Sequence, residues 1–153
     1  MPRKGKWHQG DYQVRNPEKY VGNHTPRFRS SWELAMMTFF DTNPNVIQWS
    51  SESIFINYMN PLTGKATIYV PDFLVVFVDK KGKKHGQIIE VKPSTETTME
   101  AAGKSYKNKL AVMVNMAKWA AARAWCKMQG LEFVVMNEGD IYVNPKKRRR
   151  KSR

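Results

Sequence analysis

VPDFLVVFVDKKGKKHGQIIEVK, residues 70–92, is the stretch around which the predicted fold is arranged. Two runs of β-branched and aromatic residues flank a polar turn that contains Gly82, which is typical of a β-hairpin. If the turn is centred near Lys81, Asp72 lies nine residues before it and Glu90 nine residues after it. That register places the two carboxylates opposite one another, so both are within reach of a common ion.

The charged residues at the open end of this hairpin indicate a chemical site. Because side chains alternate along a strand, Glu90 and Lys92 are predicted to share one face, with Val91 on the other. Asp72 and Glu90 offer the hard oxygen ligands that Mg²⁺ takes, with Mn²⁺ as a substitute, and the Val91 carbonyl is placed to add a third. Lys92 is suited to orient an attacking water or to stabilise negative charge at a phosphate. Two acids and one ammonium group together are typical of a metal-dependent hydrolase, and we interpret them as a nuclease site.

A helix is predicted to start at Ser30 or Ser31, with Ser30 as N-cap and Glu33 completing a capping box. Asp41, Asn43 and Pro44 are predicted to end it. The apolar stripe of this helix is predicted to be core: Trp32, Ala35, Met36, Phe39 and Phe40. Glu33 has two interpretations. It is a capping residue, and it also joins the candidate catalytic set if its helix packs beside the hairpin and reaches the metal directly or through water.

The remaining elements are predicted from shorter patterns. Three strands precede the hairpin, and a polar connector over residues 93–98 follows it. A long helix then runs from about Ala101 or Lys104 to Gln129, closed by Gly130. The predicted strands are Val46–Ser50, Ser53–Tyr58, Ala66–Val70 and, beside the hairpin, Leu131–Met136, with a further short element at Ile141–Val143.

The long helix is predicted to face the sheet through its apolar residues: Leu110, Met113, Met116 or Ala117, Ala120 and Ala124. Lys107, Lys118 and Lys127 are predicted to point towards water. Cys126 is the single cysteine, so no internal disulfide forms, and we interpret it as a small apolar residue on this helix.

The net charge of +13 is concentrated at the two ends of the chain. Residues 1–30 hold seven Lys and Arg against two acids, and residues 145–153 hold seven against none. We predict a basic N-terminal arm over residues 1–29, a folded domain over residues 30–144 and a disordered basic tail over residues 145–153. Such arms suit a polyanionic partner, with nucleic acid favoured over an acidic membrane surface.

Aromatic and basic residues alternate within the N-terminal arm, which leaves two interpretations open. The aromatic side chains contact nucleotides, or they pin the arm onto the core. The aromatic residues concerned are Trp7, Tyr12, Tyr20 and Phe28.

Composition also excludes several classes of protein. The longest apolar run, Phe73 to Val78, is too short to span a bilayer, and no charged-then-apolar leader is present, so we expect a soluble protein. The three histidines are scattered through the chain. There is no glycine-rich phosphate loop and no Cys/His zinc pattern.

These residues, taken together, resemble a known superfamily. The order of Glu33 on a helix, Pro71-Asp72, then Glu90-Val91-Lys92 resembles the PD-(D/E)XK nucleases. Within that superfamily, RSSWE at residues 29–33 and YVPDF at residues 69–73 look like the nuclease subunit of heteromeric transposases. The length, the basic tail and NPEKY at residues 16–20 are similar to the head completion nucleases of T4-like tailed phages.

The resemblance implies a restriction-endonuclease-like mixed β-sheet flanked by helices, in a single α/β domain with basic N- and C-terminal arms. It implies a Mg²⁺-dependent DNA cut with Asp72 and Glu90 as metal ligands. It also implies a role after DNA packaging and before tail attachment, in the host cytoplasm or the virion, with portal, neck or tail proteins as partners. The predicted DNA-binding residues are Lys104, Lys107, Lys109, Lys146, Lys147, Arg148, Arg149 and Arg150.

The main alternative is a structural protein of the capsid that binds a DNA end or the portal without cutting DNA. Basic arms on a folded core would suffice for that role. It leaves the convergence of Asp72, Glu90 and Lys92 as an accident. A transposase-type nuclease subunit is the second alternative.

Overall fold

The computed structural model describes residues 9–141, with the side chains of residues 9–140. Predictions on residues 1–8 and 142–153, including the basic tail and most of the short C-terminal element, lie outside this part of the chain. In chain order the elements are β1 (Gly10–Asp11), β2 (Arg27–Phe28), α1 (Ser31–Thr42), β3 (Val46–Ser51), β4 (Ile56–Met59), β5 (Ala66–Tyr69), β6 (Phe73–Val78), β7 (Lys84–Val91), a 3-10 turn (Ser94–Glu96), α2 (Met99–Ala102), α3 (Tyr106–Gln129), β8 (Glu132–Met136) and α4 (Glu138–Ile141).

Four strands form the central sheet in the order β3-β6-β7-β8. The pairs β3–β6 and β6–β7 are antiparallel, whereas β8 runs parallel to β7. A parallel neighbour requires a long crossover, and α3 supplies it. The sheet is therefore mixed and flanked by helices, which confirms the predicted α/β, restriction-endonuclease-like class and the position of the last strand beside the hairpin.

The β6–β7 hairpin has the register that the sequence predicts. Phe73 pairs with Ile89 and Val78 with Lys84, so one further step places Asp72 opposite Glu90. The turn is held by Asp79, whose Oδ1 accepts from the N–H groups of residues 81 and 83 at 2.8 and 2.9 Å.

The sheet separates two apolar clusters. On the α1 side, Phe73, Val75, Ile89 and Val91 pack with the buried face of α1 and with Trp49. On the α3 side, α3 packs against a separate ribbon formed by β4 and β5, in a cluster of Ile56, Tyr69, Trp119 and Ala122. Because Ile89 and Val91 face α1, Glu90 between them faces the α3 side.

The predicted inner face of the long helix is wrong. Exposed residues include Met113, Met116, Ala120 and Ala124, and Lys118, predicted to point towards water, is half-buried. The buried residues are Val112, Asn115, Trp119, Ala122 and Cys126. Alanine and methionine occur on every side of this helix, and its buried face carries a polar asparagine, so apolar spacing does not identify that face.

The ends of the long helix differ in how well the sequence predicts them. Gly103, with a φ of 61°, separates the four-residue α2 from α3, which begins at Tyr106 rather than at Ala101 or Lys104. Gly130 ends α3 in the left-handed region, with a φ of 74°, which confirms the predicted C-cap.

The N-terminal segment, residues 12–20, packs onto the sheet. Tyr12 and Tyr20 make edge contacts with buried Trp49, at ring-centroid distances of 5.9 and 4.7 Å. These two tyrosines therefore pin the segment to the core, as one of the two interpretations predicts. The same segment also surrounds a buried carboxylate at the end of α1.

Asp41, near the end of α1, is fully buried and collects hydrogen bonds from this segment. The Tyr12 hydroxyl donates to its Oδ2 at 2.7 Å. The N–H groups of Arg15 and Asn16 donate to the same carboxylate at 2.8 and 3.0 Å. Lys19 Nζ donates to the Asp41 carbonyl at 3.1 Å, as suits a cation at a helix C-terminus. Asp41 therefore joins residues 12–19 to the folded core.

Candidate active site

The site lies where β6 begins and β7 ends. Pro71 is fully buried and has no N–H, so it interrupts the chain between β5 and β6, and Asp72 follows it. The N–H of Val91 donates to Asp72 Oδ2 at 2.7 Å. This bond ties the Asp72 carboxylate to the end of the neighbouring strand, beside Glu90.

Both carboxylate oxygens of Glu90 have a partner. The Tyr69 hydroxyl donates to Glu90 Oε1 at 2.8 Å, and Lys92 Nζ lies 3.6 Å from Glu90 Oε2. Glu90 is 5% exposed, so these contacts form in a buried setting. The structure therefore brings together Asp72, Glu90 and Lys92, as the hairpin pattern predicts.

The acids of the site are crowded against one another. Burial raises the pKa of Asp72 well above its usual range, and the charges of Glu90 and Glu33 raise it further. Burial also raises the pKa of Glu90, against the opposing effects of Lys92 and Tyr69. Buried, crowded carboxylates of this kind are stabilised by a bound cation.

The donor set fits a hard divalent cation. In residues 9–141 no group of three or more His, Cys, Asp or Glu side chains is arranged to hold a metal ion. The side-chain ligands that the hairpin brings together are the Asp72 and Glu90 carboxylates, which leaves further positions for backbone or water oxygens or for Glu33. That composition suits Mg²⁺, which keeps several waters and binds through one or two carboxylates. The assignment of the Val91 carbonyl as a third ligand stays a prediction.

Glu33 caps α1 and lies close to the site. Its N–H donates to Ser30 Oγ at 3.2 Å, and its Oε1 accepts from the Arg29 N–H at 3.1 Å, one residue earlier than in a usual capping box. Burial raises the pKa of Glu33, and the charges of Glu52 and Glu90 add to the effect. Both interpretations of Glu33 are thus compatible with its position.

Two comparisons place this arrangement among known proteins. The family model for the TnsA-like endonuclease N-terminal domain matches residues 43–138. The chain belongs to this family. It is also 32% identical over 150 residues to the head completion nuclease of Enterobacteria phage T4, covering 92% of this chain and 95% of that protein. The resemblances to the transposase nuclease subunit and to the phage head completion nucleases are confirmed.

The TnsA-like domain contains Asp72, Glu90 and Lys92 within the matched range, whereas Glu33 precedes it. In the part of the chain that the structure describes, no helix has the length and apolar character needed to cross a membrane. Three predicted DNA-binding residues, Lys104, Lys107 and Lys109, lie exposed before and within the first turn of α3. The other five lie in the tail, beyond the described residues.

Sequence reasoning missed two charged residues that lie beside these carboxylates. Glu52 has a φ of 47°, unusual for a residue other than glycine, and its N–H donates to the Asp72 carbonyl at 2.9 Å. Its side chain contacts Arg29 at 3.4 Å. The second residue is Lys118 of α3, whose Nζ lies 5.5 Å from the ring centroid of Tyr69, the residue that donates to Glu90. No local motif marks Glu52, and Lys118 is identifiable only once the buried face of α3 is known.

Proposed function

We propose that this protein is a Mg²⁺-dependent DNA endonuclease that acts in phage head completion, after DNA packaging and before tail attachment. The observation that carries the proposal is the facing pair of carboxylates, half-buried Asp72 and buried Glu90, with Lys92 at 3.6 Å from Glu90. Membership of an endonuclease family and similarity to a head completion nuclease over nearly the whole chain support it.

Each residue has a distinct proposed role. Asp72 and Glu90 hold Mg²⁺, for which Mn²⁺ can substitute, and the Val91 carbonyl adds a ligand. When bound, the metal supplies charge neutralisation at the phosphate and a more acidic water. Lys92 orients the attacking water or stabilises negative charge developing at the phosphate. Glu33, in the first turn of α1, contacts the metal directly or through water.

Residues that orient the acids complete the mechanism. Tyr69 keeps its proton, because burial and the Glu90 charge raise the pKa of its hydroxyl. It therefore remains a hydrogen-bond donor to Glu90 and directs the other carboxylate oxygen towards Lys92. The Val91 N–H orients Asp72 in the same way. Tyr69 and the Val91 N–H thus fix the orientation of both carboxylates.

Lys92→Ala is expected to keep metal affinity and lose turnover. Its ammonium group acts on the water or phosphate, and removing one such donor costs about 10²–10³-fold in rate. Calorimetric titration with Mg²⁺ and plasmid cleavage, measured on the same preparation, separate the two effects. Lys81→Ala, exposed in the hairpin turn, is the control and should match wild type. Loss of metal affinity in Lys92→Ala as large as that of a carboxylate variant would contradict this division of roles.

The same variant separates a nuclease from a structural capsid protein. A phage that lacks this gene and is supplied with Lys92→Ala is expected to fill its heads with DNA but yield few infectious particles. The half-buried lysine at the site edge contributes little to folding, so the variant should accumulate normally. Infectious particles and protein level are counted together. Full rescue would favour a protein that only grips a DNA end or the portal.

Deleting residues 145–153 is expected to weaken DNA binding without changing base preference, because a cationic arm meets phosphates and not base edges. The salt slope is the slope of the logarithm of the DNA-binding constant against the logarithm of the salt concentration. For each phosphate that the shortened protein no longer neutralises, the magnitude of this slope falls by about 0.9. The seven basic residues of this tail therefore set a ceiling of roughly six units. Affinity for two duplexes of different sequence, measured over a salt series, tests this. An unchanged slope would contradict the role assigned to Lys146–Arg150.

A transposase-type nuclease subunit is the alternative that the family match supports. The TnsA-like model covers residues 43–138, so a transposase-type nuclease subunit shares the same chemistry. Such a subunit would need a transposase partner, whereas a head completion nuclease would act with portal, neck or tail proteins. We place its action in the host cytoplasm during assembly, with the virion as its final location if it stays on the head.

A further inference from the structure

Lys118 of α3 is held at the active site by aromatic rings. Its Nζ lies 5.9 Å from the centroid of the Tyr58 ring and 5.5 Å from that of the Tyr69 ring. Both tyrosines belong to the β4–β5 ribbon, and a cation over a ring face is attracted by the ring quadrupole. Ring faces use few of the three N–H donors of an ammonium group. Lys118 is therefore positioned while donors remain for another acceptor.

Charges of both signs surround this ammonium group. The Tyr69 ring that Lys118 contacts carries the hydroxyl that donates to Glu90. Lys118 therefore lies on the same side of the sheet as Glu90. Burial and the charge of Lys92 lower the pKa of Lys118, while Glu90 and Asp72 oppose that effect. Two ammonium groups, that of Lys92 just after β7 and that of Lys118 in α3, thus lie at one site. A phosphate in contact with both ammonium groups would further offset the repulsion between them.

We propose that Lys118 binds a backbone phosphate of the DNA at the active site, forming with Lys92 a two-lysine phosphate site. This inference rests on the proposed function, because it takes DNA as the substrate. Lys118 contributes to DNA affinity, whereas Lys92 contributes to turnover. Lys118 also contacts the ribbon through two rings, so a purely structural role is the alternative that the experiment must separate.

The experiment compares Lys118→Met with Lys127→Met. Lys127 lies nine residues later on the same helix, about two and a half turns at 3.6 residues per turn, so it is on the opposite, exposed face. Binding of a short duplex is measured without divalent metal over a salt series. Lys118→Met is expected to bind roughly tenfold more weakly, with a salt slope lower by about 0.9, the value for one phosphate. Lys118→Arg should keep the wild-type slope, and Lys127→Met should match wild type.

Cleavage of the same duplex in Mg²⁺ gives the second readout. The apparent KM should rise with the weaker affinity, while kcat of Lys118→Met stays within about threefold of wild type. A wild-type salt slope in folded Lys118→Met would overturn the inference, as would a loss confined to kcat. If wild type itself fails to cleave but the slope still falls in Lys118→Met, the phosphate site stands and the nuclease proposal fails.

A measurement on the wild-type protein guards against a variant that does not fold. Acetylation of lysine side chains is followed by mass spectrometry with and without duplex DNA. DNA is expected to slow modification of Lys118 at least about tenfold more than that of Lys127, as a bound phosphate would. Equal effects of DNA on the two lysines would overturn the inference.

Discussion

Asp72→Asn is expected to abolish Mg²⁺-dependent DNA cleavage, with a rate at least about 10³-fold below wild type. The change removes one of two charged ligands, and metal stabilisation of transition-state charge is worth several kcal/mol. The fold should persist, because an amide oxygen can still accept from the Val91 N–H, and the like-charge repulsion with Glu90 is removed. The thermal midpoint without metal is expected to equal or exceed that of wild type.

The control variant is Asp79→Asn, at the other end of β6 from Asp72. Asp79 follows β6 as Asp72 precedes it, and its carboxylate is used in the hairpin turn and in a 2.8 Å contact with His85. Asp79→Asn should therefore lower stability without removing cleavage. Plasmid cleavage and thermal unfolding are measured for both variants. Robust cleavage by Asp72→Asn would remove Asp72 from the metal site.

Asp41→Ala is expected to lower the free energy of unfolding by about 3 to 5 kcal/mol. Three donors are left without a charged acceptor, each such bond being worth roughly 1.5–3 kcal/mol without full additivity. Residues 12–19 should then separate from the core together with the end of α1. Asp11→Ala is the control, because within residues 9–140 the Asp11 side chain makes an exposed 3.5 Å ion pair with Arg27, and its loss should cost under about 0.5 kcal/mol.

The effect of Asp41 depends on pH in a defined direction. Burial alone would raise the pKa of Asp41, but hydrogen bonds from Arg15, Tyr12 and Asn16 outweigh it and lower the pKa. A carboxylate with a lowered folded pKa stabilises the protein above its ordinary, unfolded pKa and loses that contribution as pH falls through the folded value. Urea unfolding at neutral pH and below pH 4 should show the difference between wild type and Asp41→Ala narrowing in acid. A constant difference would contradict the role of the charge.

The hairpin was predictable because its determinants are local. A symmetrical turn and a side-chain period of two are enough to place Asp72 opposite Glu90 and to put Lys92 on the same face as Glu90. The capping of α1 by Ser30 and the end of α3 at Gly130 are local for the same reason. Each depends on a few adjacent residues whose backbone preferences agree with the fold.

The contributions of α3 and of the N-terminal segment depend on contacts between distant parts of the chain. Asn115 is buried because its side chain donates to the Glu96 carbonyl at 3.0 Å, which no apolar pattern reveals. Lys118 reaches the site because the β4–β5 ribbon packs on α3 instead of joining the central sheet. The sequence pattern predicts only that Asp41 ends a helix. Its contribution to stability depends on hydrogen-bond donors from residues 12–16, which are distant in the chain. These features become visible only once the packing is known.

The metal dependence of DNA cleavage is tested most directly by the rate at which the wild-type protein cuts supercoiled plasmid as Mg²⁺ is titrated into a chelated buffer. We expect no cutting in excess EDTA, a saturable rise in rate with Mg²⁺, and activity with Mn²⁺ in its place. Cutting at full rate in EDTA, or no cutting by folded protein at any concentration of either metal, would contradict a Mg²⁺-dependent nuclease site at Asp72 and Glu90.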